Sequence, residues 1–182
     1  MPAHKFKDES GLDADSMDVK SPLQVVIAYD DVAAGKRAMR VLSTLAGGLE
    51  DEIELKPIPA TPVQPVEVAV RPLPVAADDF RLSIKSTARA FMEAARREGD
   101  RYETVFVDPE GRLTEGSFTS IFVERDGRYL TPPIARGLLP GLLRARLIEE
   151  GKAVEEDLVV ADLANGFLIG NMVRGLIRAR LA

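Results

Sequence analysis

The chain has no cysteine and a single histidine among its 182 residues. Without cysteine there is neither a disulfide framework nor a thiolate metal site, and the sequence carries no mark of its redox compartment. The histidine, His4, lies in a polar leader, so none is available for a catalytic triad or a buried metal site. Long apolar runs are also missing. None approaches the roughly 20 residues that cross a bilayer, and Lys5, Lys7, Asp8 and Glu9 stand where a signal peptide would be apolar. Neither membrane insertion nor export is expected, and cytoplasm is the expected compartment. Excess positive charge is lacking too. The net charge is −5 with acidic and basic residues interspersed, which leaves no extended basic face to track a phosphodiester backbone and makes nucleic acid an unexpected partner.

What is present is an ordinary globular composition, 46% apolar, enough for one ample domain or two small ones around a real core. Residues 1–20 mix Lys, Asp, Ser, Gly and Glu with little apolar content, a composition that predicts a mobile tail. Residues 21–56 read as a β-α-β segment. The β-branched run from Leu23 to Tyr29 predicts a buried strand. Asp30 and Asp31 are then expected to cap a helix whose apolar stripe is Val32, Met39, Leu42 and Leu45 and which ends at Gly47-Gly48. An acidic pair after a strand is also a possible Mg²⁺ or phosphoryl site, but capping is the commoner use. Ile53 to Leu55 predicts the second strand.

Half of the twelve prolines fall between Pro57 and Pro74, and residues 57–65 read as a linker, since this stretch continues neither a helix nor a central strand. Beyond it, residues 66–182 form a separate unit by this reading. Val66 to Val70 alternates as an edge strand, and Thr87 to Arg97 predicts a helix with Ala90, Phe91, Ala94 and Ala95 inward. Glu103 to Asp108 and Phe118 to Glu124 predict strands joined through Pro109-Glu110-Gly111, and Asp126-Gly127 predicts a hairpin to Tyr129-Leu130-Thr131, together a meander. A helix is expected from Leu142 to Glu149, stopped by Gly151. Strands at Gly166 to Gly170 and Leu176 to Leu181 complete the pattern.

Within this frame the motifs are Asp78-Asp79-Phe80 ahead of Lys85-Ser86-Thr87-Ala88-Arg89, then Leu113-Thr114-Glu115-Gly116-Ser117-Phe118, Leu130-Thr131-Pro132-Pro133, Gly137-Leu138-Leu139-Pro140-Gly141 and Asn171-Met172-Val173-Arg174-Gly175. In this order they resemble the C-terminal half of the fold-type IV pyridoxal-phosphate enzymes, the class IV aminotransferases, with aminodeoxychorismate lyases as the nearest members. The resemblance runs from about Val66 to Ala182, and residues 1–65 do not resemble the family's N-terminal domain. It implies an α+β fold: a mixed, partly closed sheet like the family's large domain, preceded here by the small β-α-β segment.

The same resemblance implies pyridoxal 5'-phosphate as cofactor. Lys85 would form the Schiff base and then shuttle the substrate Cα proton. Glu115 would pair with the pyridine nitrogen, keeping the ring an electron sink. Gly141, Leu142 and Leu143 open a helix whose free amides and positive dipole end suit the cofactor phosphate, with Asn171 and Met172 nearby. The chain departs from the family where hydroxyl residues are usual, at Leu143 and Met172, and has Ile84 where histidine is usual. Arg174 is read either as a contact for a substrate carboxylate or as a structural ion pair. Arg136 and Arg144 beside the phosphate turn read as solvated surface charges.

The functional expectations are elimination of pyruvate from 4-amino-4-deoxychorismate to give 4-aminobenzoate, or transamination of branched-chain or D-amino acids with the same lysine and glutamate. A third is a rearranged, non-catalytic chain that only folds, oligomerises or binds a partner. A homodimer taking a small amino substrate is implied by the resemblance.

Overall fold

The computed structural model describes residues 25–29, 53–85 and 87–182, and the chain divides into two compact units between Ile58 and Pro59. The expected tail, the Asp30-Asp31 cap and its helix lie outside the described residues. In the first unit, strands β1 (Val25–Tyr29) and β2 (Ile53–Pro57) pair in parallel, Val25 opposite Ile53. Parallel neighbours need a crossover connection rather than a tight turn. Among the described residues no helix is long and apolar enough to cross a membrane.

The second unit is an α+β domain built on one mixed sheet. Its strands are β3 (Val66–Pro72), β4 (Glu103–Val107), β5 (Leu113–Gly116), β6 (Ser120–Arg125), β7 (Arg128–Thr131), β8 (Ala153–Glu155), β9 (Phe167–Asn171) and β10 (Gly175–Leu181). Their spatial order is β5-β4-β3-β10-β9-β6-β7-β8. The sheet curls until its ends meet: the Leu113 amide donates to the Leu158 carbonyl at 2.7 Å, and Arg112 bridges Val159. The strand alternation divides the core accordingly. Val68, Val105, Leu113, Ile121, Val123, Leu158, Ile169 and Ile177 fill one face, and Phe106 and Phe122, one residue out of phase, point to the other. Helix α2 (Ala90–Gly99) covers Phe106 and helix α3 (Leu142–Glu149) covers Phe122.

Several local expectations are corrected. β3 is an interior strand, parallel to both β10 and β4. Its alternation reports one face packed on the core through Val66, Val68 and Val70, while Pro65 and Pro72 sit at its margins, where a missing donor does little harm. β5 was not expected at all, because Thr-Glu-Gly resembles a turn. It is nevertheless buried throughout and turns the expected meander into a β4-β5 hairpin followed by β6, which pairs with β7 and β9. A one-turn helix α1 (Phe80–Ser83), capped by the Asp79 carboxylate on the Arg81 amide at 2.9 Å, was also missed. In α2 Phe91 and Ala95 pack inward as expected, but the fully buried residue is Met92, and Ala90 and Ala94 are exposed. A 3-10 turn at Thr87–Arg89 precedes the helix, and its tighter winding rotates the face that follows. The β6-β7 hairpin forms as expected on Asp126 and Gly127, both left-handed with φ of 52° and 74°, the pairing a two-residue turn demands.

Candidate active site

The site gathers where β5, the start of β6, the end of β9 and the start of α3 converge, with the Lys85 segment alongside. Glu115 is on β5, and only 5% of its surface is exposed. The Arg89 guanidinium forms an ion pair with it, and the Leu139 amide faces it. Burial nonetheless pushes its carboxyl up to about 7, against the opposing pull of Arg89 and Leu139, with a further small push from the nearby Glu103. Arg89 lies four positions beyond Lys85 and carries a buried Nε–H with no partner among the described residues. Its presence in the lysine motif was noted from sequence, its role was not. The one available signal was an arginine only four residues past the lysine.

The loop after Glu115 is organised by a second carboxylate that sequence reading missed. Glu103, on β4, is fully buried. It accepts from the amides of Thr104 (2.8 Å), Ser117 (3.0 Å) and Phe118 (3.2 Å), from the Thr119 hydroxyl at 2.7 Å, and from the Ser117 hydroxyl. Burial pushes its carboxyl up, and these donors pull the other way. Gly116 is needed between the two acids, since a Cβ there would lie 2.5 Å from the Thr119 hydroxyl and 2.8 Å from Glu103 Oε2.

On the other side stands the N-terminus of α3. Its N-cap, Gly141, makes no side-chain cap, so the first amides of this eight-residue helix have no side-chain acceptor, an arrangement that suits an anionic group. A Cβ at Gly141 would come within 3.0 Å of Ser120 Oγ. Leu143 packs back against Gly170, where a Cβ would lie 2.9 Å from the leucine methyl, while Leu142 and Met172 are exposed. Gly137 locks this loop to the segment that precedes Lys85. Its φ is +76°, and a Cβ would meet the Ala77 carbonyl oxygen at 2.4 Å.

Asn171 is brought to the site, but its side chain is committed to shaping it. Nδ2 donates to the Phe118 carbonyl at 3.1 Å, and Oδ1 accepts from the Val173 and Arg174 amides at 3.0 and 2.9 Å. Arg174 donates to the Tyr102 hydroxyl at 3.2 Å and lies 5.5 Å above the Phe118 ring. No carboxylate among the described residues pairs with it, so the ion-pair reading finds no partner there. Arg144 is corrected outright. Far from being solvated it is 3% exposed, donating to the Pro132 carbonyl at 2.9 Å and pairing with Glu155. A buried guanidinium is tolerable only when its donors are met in this way. Arg136 pairs with Asp157 at the surface.

Lys85 lies in the irregular segment between α1 and the 3-10 turn, with its side chain exposed. A cavity of about 650 Å³ is lined by Val123, Arg125, Asp162, Phe167 and Arg178 and includes none of the expected site residues. In donor chemistry the expected site fits the cofactor: an accessible amine, a buried carboxylate for a ring nitrogen, and uncapped helix amides for a phosphate.

Comparison with known proteins agrees with this chemistry. The model of the family described as amino-transferase class IV matches residues 12–182, beginning upstream of the motifs. A probable branched-chain-amino-acid aminotransferase of Thermotoga maritima is 34% identical over 74 residues, 40% of this chain and 27% of that protein. A putative aminodeoxychorismate lyase of Schizosaccharomyces pombe is 32% identical over 78 residues, 40% of this chain and 34% of that protein. The crystal structure of a putative amino-acid aminotransferase from Mesorhizobium loti superposes with a TM-score of 0.64 at 30% identity, covering 70% of this chain and 65% of that one. The matches span only about a third of the length of these two curated relatives. With the family model spanning nearly the whole sequence, the chain belongs to the class IV aminotransferase family, whose members are pyridoxal-phosphate enzymes.

Proposed function

We propose that this chain is a pyridoxal-phosphate enzyme acting at the Cα of a small amino substrate, and that its reaction is the release of pyruvate from 4-amino-4-deoxychorismate. The observation that carries the cofactor reading is the buried Glu115, paired with Arg89 next to an uncapped helix start. Bound pyridoxal phosphate supplies an aldehyde for an amine and a ring that withdraws electrons from the substrate Cα.

The residues divide the remaining work. Lys85 Nζ is the amine, exposed and therefore reachable, and afterwards the group that takes and returns the Cα proton. Glu115 holds a proton at the ring nitrogen. Gly141 shapes the approach to the amides of Leu142 and Leu143, which hold the phosphate by backbone donors and helix dipole. Exposed Met172 borders the cofactor face, and Asn171 fixes the turn that carries it. Arg174, its fork held by Tyr102 and Phe118, binds the substrate carboxylate.

Transamination of a branched-chain amino acid is the second reading, favoured by the likeness to the Thermotoga protein. The deciding experiment has two parts. Borohydride reduction of the protein with pyridoxal phosphate should attach the cofactor covalently to wild type and not to Lys85→Ala, and an adduct that survives the substitution overturns the role of Lys85. Pyruvate release from aminodeoxychorismate, compared with keto-acid-dependent amino transfer, then separates the two reactions. By the same resemblance the active form is a homodimer, and sedimentation as a strict monomer would contradict it.

A further inference from the structure

Glu115 is set among groups that act on its charge from every side. From the lysine segment comes Arg89, from the loop before α3 the Leu139 amide, and from β4 the second buried carboxylate, Glu103. Of these only Arg89 carries positive charge. Its side chain is itself 11% exposed, and that of Glu115 is 7% exposed. A carboxylate this deep, with a like charge nearby, sheds its charge unless a cation is placed against it. Arg89 is also only four residues beyond Lys85, so the group that balances Glu115 belongs to the segment that presents the amine.

We propose that Arg89 is a positioning residue of the site, clamping Glu115 from the Lys85 side and keeping its carboxylate ionised in a buried setting. The consequence for the cofactor rests on the pyridoxal-phosphate reading: an ionised Glu115 accepts a proton-bearing ring nitrogen, whereas a protonated one donates to a bare nitrogen and weakens the electron sink. The effect of Arg89 on Glu115 does not rest on it. The contact runs through a single guanidinium nitrogen to Glu115 Oε1, so Arg89 acts by where it places its charge, and a lysine would keep that charge while changing where it sits.

The test is made on the full chain without cofactor. The side-chain carboxyl carbons of glutamate are labelled with ¹³C, the Glu115 resonance is assigned by its loss in Glu115→Gln, and its pH titration is followed in wild type, Arg89→Met and Arg89→Lys. Wild type should titrate near 7. In Arg89→Met the midpoint should rise by about 1–3 units, the size of an opposite-charge effect at close range. In Arg89→Lys it should rise by less, because the charge is kept and only its placement changes. A midpoint unmoved in Arg89→Met overturns the proposal. Should that variant not fold, Arg89→Gln, equally neutral, decides in its place: an upward shift supports the role of Arg89, and a midpoint equal to wild type overturns it. A purely structural role for Arg89 would alter stability without moving the midpoint. Because no cofactor is present, failure of the protein to bind pyridoxal phosphate would overturn the functional reading alone, and an unmoved midpoint the role of Arg89 alone.

Discussion

Removing the Glu103 carboxylate should cost more than any surface change in the molecule, and the cost can be worked from its contacts. Three of its five donors are backbone amides, of Thr104, Ser117 and Phe118. The Ser117 amide also reaches the Thr104 carbonyl at 3.0 Å, but the other two cannot rotate to a new acceptor, unlike the hydroxyls of Ser117 and Thr119. In Glu103→Leu each amide left unmet costs ~1–3 kcal/mol. The two sum to ~2–6 kcal/mol, and water entering the vacated polar space will recover part of it, so ~2–4 kcal/mol is expected. Glu103→Gln retains one acceptor oxygen and turns an NH₂ toward the Phe118 amide, a single mismatch of ~1–3 kcal/mol. With no tryptophan in the chain, urea unfolding is best followed by far-ultraviolet circular dichroism. A loss below ~1 kcal/mol in Glu103→Leu would refute the reasoning, showing that the loop finds other acceptors. So would equal losses in the two variants, since the donor count predicts a clear difference.

Three more expectations follow from the same geometry. Gly137→Ala meets both a left-handed backbone, ~1–2 kcal/mol, and the Ala77 carbonyl, so it should lower the urea midpoint and weaken pyridoxal-phosphate binding, whereas Gly151→Ala, left-handed with open space around it, should affect stability only. Arg144→Met leaves the Pro132 carbonyl and Glu155 without their donor and should cost ~1–3 kcal/mol in the same assay, with Glu155 partly rescued by solvent. The Glu115 carboxyl titrates in the folded chain near 7, above its ordinary value of 4.5. The folded state therefore holds the extra proton between those two values, and the stability from this group is full below about 4.5 and lost as pH rises toward 7, by at most ~3 kcal/mol. Urea midpoints at pH 5 and pH 7.5 should show that fall in wild type and a smaller one in Glu115→Gln, and identical pH profiles would contradict it.

The regions of the domain that were legible from sequence are those where a local rule and the tertiary structure agree. The helix over Leu142–Glu149 and the Asp126-Gly127 hairpin follow from glycine placement and apolar runs. The motifs brought out Glu115 and the α3 N-terminus as candidates because both are local in sequence. What escaped was non-local. β5 is short and polar, held as a strand by burial between β4 and the Leu158 segment, so no propensity marks it. Arg144 read as a surface charge, and Glu103 only as the first residue of a strand, because their partners come from elsewhere in the chain, fourteen and eleven positions away in the cases of Ser117 from Glu103 and Glu155 from Arg144. The Arg89–Glu115 pair, too, exists only once β5 is seated.

The position of β10 has a consequence for how the site comes into being. Strands β5, β4 and β3 carry Glu115 and its loop; β9, β6, β7 and β8 carry Asn171 and, with α3, the uncapped helix start. Gly175–Leu181 lies between these two groups, parallel to β3 and antiparallel to β9. During synthesis both halves emerge from the ribosome before the strand that joins them, each with an unpaired edge. The two sides of the site are therefore brought into register by its last-made strand, and a ribosome-bound chain stalled before Gly175 should hold the parts of the site without the site itself.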